Sequence, residues 1–120
     1  MTKILFICKY NRGRSLAAER IYANHPGLEV ASAGIDFFQA RILVSEELLQ
    51  WADVILCMEE WHQKAIEDEF AACIKDKVID SLGVTQDLRP GLVDRIKEKV
   101  DAWLNEYQKG KLSRDAKSGK

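Results

Sequence analysis

The residues of this chain best suited to chemistry lie together, in the run Cys8-Lys9-Tyr10-Asn11-Arg12-Gly13-Arg14-Ser15. A cysteine attacks as its thiolate, and a helix N-terminus beside a guanidinium draws its pKa down from ~8.5 toward neutrality. The five residues between Cys8 and Arg14 are enough to curl a loop around one tetrahedral oxyanion, with successive backbone N–H groups turned inward and the next helix aimed at the same point. Arg14 offers a planar fork that binds two non-bridging oxygens at once, which a lysine cannot do. Ser15 can donate to the Cys8 sulfur, steadying the thiolate and later easing its departure from a cysteinyl-phosphate, while also capping the helix. Asn11 tolerates positive φ and Gly13 adopts it freely, so the loop turns without strain. The expectation is a phosphate-binding loop over Lys9, Tyr10, Asn11, Arg12, Gly13, Arg14 and Ser15. Tyr10 and Arg12 face outward in this reading and shape substrate choice.

Such a loop needs a strand before it and a helix after it. Lys3-Ile4-Leu5-Phe6-Ile7 is an apolar strand that ends at Cys8, and Leu16-Ala17-Ala18-Glu19-Arg20-Ile21 reads as a helix. This context separates the motif from a cysteine that merely fills a core and an Arg-Gly-Arg-Ser that is only a solvated turn. Further along, strand and helix patterns alternate, the signature of an α/β domain with a parallel sheet. The first helix spans about 15–24, and His25-Pro26-Gly27 ends it. Strand two covers about 29–33, and a short helix runs from the capping residue Ser45 to about Trp51. Strand three covers 53–58, a helix 60–70, and strand four Lys77–Asp80. The last helix starts near Pro90, and Leu92, Val93, Ile96, Val100, Trp103, Leu104 and Tyr107 give it one apolar face.

Composition bounds the rest. With 120 residues, 47% of them hydrophobic, the chain can fill a single core without staples. The domain is expected over 1–108, and 109–120, basic and without apolar periodicity, is expected to be a disordered tail. No run approaches the ~18 apolar residues of a membrane span, and there is no leader pattern, so the expected location is cytoplasmic. A net charge of −1 gives no field favouring nucleic acid or membrane. Three cysteines without a Cys-x-x-Cys pair indicate neither a disulfide framework nor a zinc site. No cofactor or metal is expected. Cys57 reads as buried packing, Cys73 as inert, and His25 and His62 as surface residues without a partner pattern.

The chain resembles the low-molecular-weight protein tyrosine phosphatases. Besides the loop, Val30-Ala31-Ser32-Ala33-Gly34 is similar to the family's second strand with its Ser-Ala turn. Trp51-Ala52-Asp53-Val54-Ile55-Leu56-Cys57-Met58-Glu59 is similar to its central strand. The likeness covers roughly residues 3–108 and looks closest to a shortened branch of about this length. It implies a four-stranded parallel sheet flanked by helices, of the phosphotyrosine phosphatase I-like kind, and hydrolysis of phosphate monoesters through Cys8 and Arg14. The implied partner is a phosphorylated protein or a small phosphate ester. The resemblance also implies that Ser32 holds Asn11, and that Phe38 or Phe37 stands beside the cleft where it can stack on a phosphotyrosine ring.

Ligands of open parallel sheets bind beyond the carboxyl ends of the strands, where Cys8, Gly34, Glu59 and Asp80 fall in this reading. A carboxylic acid is wanted there to protonate the leaving oxygen and then activate water. The relatives place it in an Asp-Pro-Tyr-type loop, yet this chain has Ser81-Leu82-Gly83-Val84-Thr85-Gln86-Asp87-Leu88-Arg89-Pro90. Asp80 is the first candidate and Asp87 the second, against the alternatives of a turn residue and a helix cap. Two other functions compete. One is a phosphate- or phosphopeptide-binding module that has lost its acid. The other is a thiol-dependent arsenate reductase, which needs two further accessible cysteines.

Overall fold

The computed structural model describes residues 1–86 and 89–110. Its first strand, β1 (Thr2–Cys8), is apolar along its whole inner length because it lies in the middle of the sheet and is covered on both faces. Ile4, Phe6 and Cys8 point to one face, Leu5 and Ile7 to the other. The remaining elements follow as α1 (Arg14–Tyr22), β2 (Leu28–Gly34), α2 (Glu46–Trp51), β3 (Val54–Cys57), α3 (Glu60–Glu69), α4 (Ala71–Ile74), β4 (Val78–Ser81) and α5 (Leu92–Gln108). The strands pair in parallel in the order β2-β1-β3-β4. In such an order the chain changes direction of travel between β1 and β3, where an open sheet leaves a crevice at its carboxyl edge. Cys8 is the last residue of β1 at that crevice.

Helices α1 and α5 cover the face of Ile4, Phe6 and Cys8, with Ala18, Tyr22, Ile96, Val100, Trp103 and Leu104 among the buried residues. The opposite face buries Leu49 of α2, Ile66 of α3 and Ile74 of α4 against Leu5, Ile7, Ile55, Cys57 and Ile79. Among the described residues no helix is long and apolar enough to cross a membrane.

Element positions follow the sequence pattern with three differences. The stretch expected as one helix over 60–70 breaks at Phe70, whose backbone (φ −124°, ψ 33°) leaves the helical region before α4 resumes. Pro90 lies outside α5, because Gly91 at φ 90° makes the turn into a helix that begins at Leu92. Gly13, expected to supply positive φ, has φ −135°; Asn11 alone, at φ 55°, makes the left-handed turn of its loop. Ser45 caps α2 as its type suggests, accepting the Leu48 N–H at 3.2 Å. Residues 111–120 of the expected basic tail, and Asp87, lie outside the described residues.

Candidate active site

Between β1 and α1 the backbone of residues 8–13 is held by its carbonyls. Ile35 N–H donates to the carbonyls of Cys8 and Lys9, Asp36 N–H to Lys9, and Arg41 N–H to Tyr10, at 2.9–3.1 Å. Arg41 Nε donates to the carbonyl of Asn11 at 3.1 Å. With these carbonyls drawn outward to the 35–41 segment, the intervening amides turn the other way. No acceptor among the described residues takes the amides of Arg12, Gly13, Arg14 or Ser15. That is the arrangement of an anion nest at a helix N-terminus. The 35–41 segment comes this close because residue 34 is glycine. A Cβ there would lie 2.7 Å from the Lys9 carbonyl oxygen and 2.9 Å from the Tyr10 carbonyl carbon.

The Cys8 sulfur sits at the base of this loop. Asn11 N–H donates to it at 3.2 Å, and Ser15 Oγ lies 2.9 Å away. Asn11 Nδ2 donates to Ser15 Oγ at 2.8 Å, which leaves the serine hydroxyl hydrogen for the Cys8 sulfur at 2.9 Å or the Ala33 carbonyl at 3.4 Å. Ser15 is inside α1 rather than capping it; its hydroxyl is spent on Cys8 and Asn11 instead. Above the sulfur is a cleft of about 270 Å³ lined by Cys8, Tyr10, Arg12, Gly13, Arg14, Thr85, Gln86 and Leu92. Lys9 turns its ammonium over the Tyr10 ring, 4.9 Å from the centroid.

Arg14 is buried and closely engaged. Nη1 donates to Glu59 Oε2 at 2.5 Å and to the Val84 carbonyl at 2.7 Å, and Nη2 to Gln86 Oε1 at 3.4 Å. Glu59 was noted in the sequence only as a strand-end residue. Its role as the partner of Arg14 was missed, as was the placement of His62. Read as a surface residue, His62 is in fact fully buried. It belongs to a capping box: the Glu59 side chain takes the His62 N–H while His62 Nδ1 accepts the Glu59 N–H at 3.0 Å. Burial, followed by the nearby Arg14 charge, lowers the His62 pKa to about 4. The Glu-x-x-His spacing at a strand-to-helix turn was the available signal.

Other expected site residues are placed elsewhere. Asp80 accepts from Trp103 Nε1 at 2.9 Å and from the Ser81 N–H at 2.9 Å, and it does not line the Cys8 cleft. Its strand position turns the carboxylate to the α5 face, two strands away from Cys8. Ser32 donates to Glu19 Oε1 at 2.5 Å instead of holding Asn11, whose amide goes to Ser15. Phe37 and Phe38 pack edge to face on each other, 5.2 Å between centroids, and stand in solvent outside the cleft, 75% and 89% exposed. Among the described residues no carboxylic acid lines the cleft. Nor does any group of three or more His, Cys, Asp and Glu among them have the arrangement of a metal site. Cys57 and Cys73 pack on the sheet face opposite Cys8, and burial raises the Cys57 pKa.

Several solved structures have a similar fold. YwlE arginine phosphatase from Geobacillus stearothermophilus is 23% identical, with 93% of this chain and 96% of that chain covered and a TM-score of 0.70. SP-PTP, a low molecular weight protein tyrosine phosphatase from Streptococcus pyogenes, is 15% identical, with coverage of 91% and 98% and a TM-score of 0.72. DARP, a drosophila arginine phosphatase, is 18% identical, with coverage of 89% and 98% and a TM-score of 0.71. No protein-family model and no curated protein matches the chain. The chain has the fold of the low molecular weight protein tyrosine phosphatases, a four-stranded parallel sheet flanked by helices.

Proposed function

We propose that the protein is a phosphatase that hydrolyses phosphate monoesters through a cysteinyl-phosphate. The observation that carries this reading is the Cys8 sulfur. It receives the Asn11 amide and faces the Ser15 hydroxyl at the floor of a cleft edged by Arg14. A merely structural cysteine has no use for two polar partners at its sulfur.

The sulfur attacks phosphorus in line while the P–O bond to the leaving group breaks. The inward amides of 12–15 and the Arg14 guanidinium hold the equatorial oxygens as charge spreads over them. The leaving oxygen takes a proton from an acid or from water. Water then attacks phosphorus, the S–P bond breaks, Ser15 steadies the departing thiolate, and orthophosphate is released. The fold shared with proteins named as tyrosine and arginine phosphatases supports this chemistry.

The favoured substrates are aryl phosphates such as phosphotyrosine in proteins, a reading supported by the fold shared with a protein named as a tyrosine phosphatase. Asp87, next in sequence to the cleft residue Gln86, is the proposed acid, and Asp80 is set aside for its Trp103 bond. The cysteines on the far sheet face argue against arsenate reduction, which needs exchange with the nucleophilic sulfur.

The test compares p-nitrophenyl phosphate, an alkyl phosphate and phosphoarginine as substrates. The expected result is turnover of the aryl ester that vanishes in Cys8→Ser, slower turnover of the alkyl ester, and a further loss on the alkyl ester alone in Asp87→Asn. Phosphate affinity without release of p-nitrophenol would instead identify a phosphate-binding module. Faster turnover of phosphoarginine than of the aryl ester would overturn the substrate class.

A further inference from the structure

Arg14 is gripped at one corner and open along one edge. Both hydrogens of Nη1 are taken, by Glu59 Oε2 at 2.5 Å and by the Val84 carbonyl at 2.7 Å. Nη2 spends one hydrogen on a long 3.4 Å bond to Gln86 at the cleft. Nε has no acceptor among the described residues. The parallel N–H pair of Nε and Nη2 is therefore the side of the fork left for a bidentate anion.

Glu59 is in turn fixed by the capping box. His62 Nδ1 takes the Glu59 N–H, so the imidazole is neutral with its proton on Nε2, and the carboxylate is tied to the His62 N–H. His62 is fully buried beside Trp61, with 4.4 Å between ring centroids, and has little room to swing. On the reading of Cys8 and Arg14 as the phosphatase pair, we propose that Glu59 and His62 are positioning residues. They commit the Nη1 corner of Arg14 to the protein and so present its Nε–Nη2 edge to the phosphoryl group.

A substrate can exploit a bidentate contact only if the fork is already turned to it. An arginine side chain free to rotate would meet the transition state with one N–H as often as with two. Glu59 also keeps the buried guanidinium from standing uncompensated while the cleft holds no anion. Val84 contributes through its main chain, and the 82–86 segment is pinned for that purpose by Leu82 N–H to the Cys57 carbonyl and Val84 N–H to the Met58 carbonyl, both at 2.8 Å.

The experiment measures kcat for p-nitrophenyl phosphate, Ki for inorganic phosphate and Tm in the full chain, in wild type, Glu59→Ala, Glu59→Gln, His62→Leu and His62→Asn. Glu59→Ala should lower kcat about 30-fold and weaken phosphate by about tenfold. Glu59→Gln keeps an acceptor for Nη1 and should recover most of both losses. His62→Asn, which puts a carbonyl oxygen near the place of Nδ1, should recover most of what His62→Leu loses. An unchanged kcat and Ki in Glu59→Ala with a lower Tm would reduce Glu59 to a helix cap and overturn the proposal. Glu59→Gln as impaired as Glu59→Ala would also overturn it, since charge and not orientation would then be what Arg14 needs. Protection of Cys8 from iodoacetate by phosphate gives the same comparison without turnover. If wild type releases no p-nitrophenol, the phosphatase reading fails while the protection series still decides whether Glu59 and His62 position Arg14.

Discussion

The two walls of the cleft are built differently. The wall from Cys8 to Ser15 is one continuous segment whose outward carbonyls are tied to 35–41 and whose side chains bond one another. The wall formed by 82–86 is a strand extension held by the Cys57 and Met58 carbonyls and by Arg14, and it presents Thr85 and Gln86. On the phosphatase reading proposed above, the first wall carries the groups that would hold and attack a phosphoryl group. On the same reading the second would meet the leaving group, and no carboxylic acid is on its described part. Binding and attack then depend on local chain geometry, whereas the treatment of the leaving group depends on where a distant loop falls.

The largest effect expected of any single change is on the first wall. Cys8→Ser should reduce p-nitrophenyl phosphate turnover by more than about 10³-fold, because an unactivated hydroxyl replaces the nucleophile. Phosphate affinity and Tm should stay near wild type, which a calorimetric titration and a thermal melt would check. Retained turnover would move the chemistry off this wall altogether. The second change on this wall, smaller in effect, is Gly34→Ala. The new methyl would press on the Lys9 carbonyl and the Tyr10 backbone, at a cost of about 2 kcal/mol for overpacking. Because those atoms belong to the loop itself, kcat should fall as well, by about tenfold. A variant that loses stability but keeps kcat would show that the loop does not need its 35–41 buttress.

What the sequence disclosed divides along the same line. Cys8, Arg14, Ser15 and the flanking β1 and α1 were legible because their relations are between residues adjacent in the chain, where strand, loop and helix patterns speak directly. Asn11 as the positive-φ residue was legible from its type. The fastening of Arg14 to Glu59 joins residues 45 positions apart, and no periodicity encodes it. His62 looked like any polar helix residue; only its pairing with Glu59 at capping-box spacing distinguished it, and that cue is weak without knowing that the N-cap of α3 meets Arg14. Asp80 misled because a carboxylate at a strand end satisfies the rule for sites in parallel sheets, while its side-chain direction follows from strand alternation and turns it toward Trp103.

His62 braces Glu59, the partner of Arg14, and acid should expose that brace. Its pKa of about 4 in the folded protein lies below the ~6.5 of an unfolded chain, so the unfolded state binds the proton more readily. The resulting stability is complete above pH ~6.5 and is lost progressively as pH falls toward 4. Thermal melts should show Tm falling by ~5 °C more across that window in wild type than in His62→Asn. Equal pH dependence in the two proteins would mean that His62 is not held neutral by burial beside Arg14.

The smallest expected effect is at the far end of the second wall. Asp80→Asn keeps the shape of the side chain and weakens a charge-assisted bond from Trp103 to a neutral one, so the loss of stability should be about 1 kcal/mol. Because Asp80 does not line the cleft, the ratio of aryl to alkyl phosphate turnover should not change, in contrast to Asp87→Asn. A denaturant melt measures the first quantity and paired initial rates the second. If the aryl-to-alkyl ratio rose sharply in Asp80→Asn while stability held, Asp80 would be the proton donor, and the cleft would have to reorganise around substrate to bring β4 and Cys8 together. The walls would then be coupled during the reaction in a way that their separate anchoring, one to 35–41 and the other to β3, does not suggest.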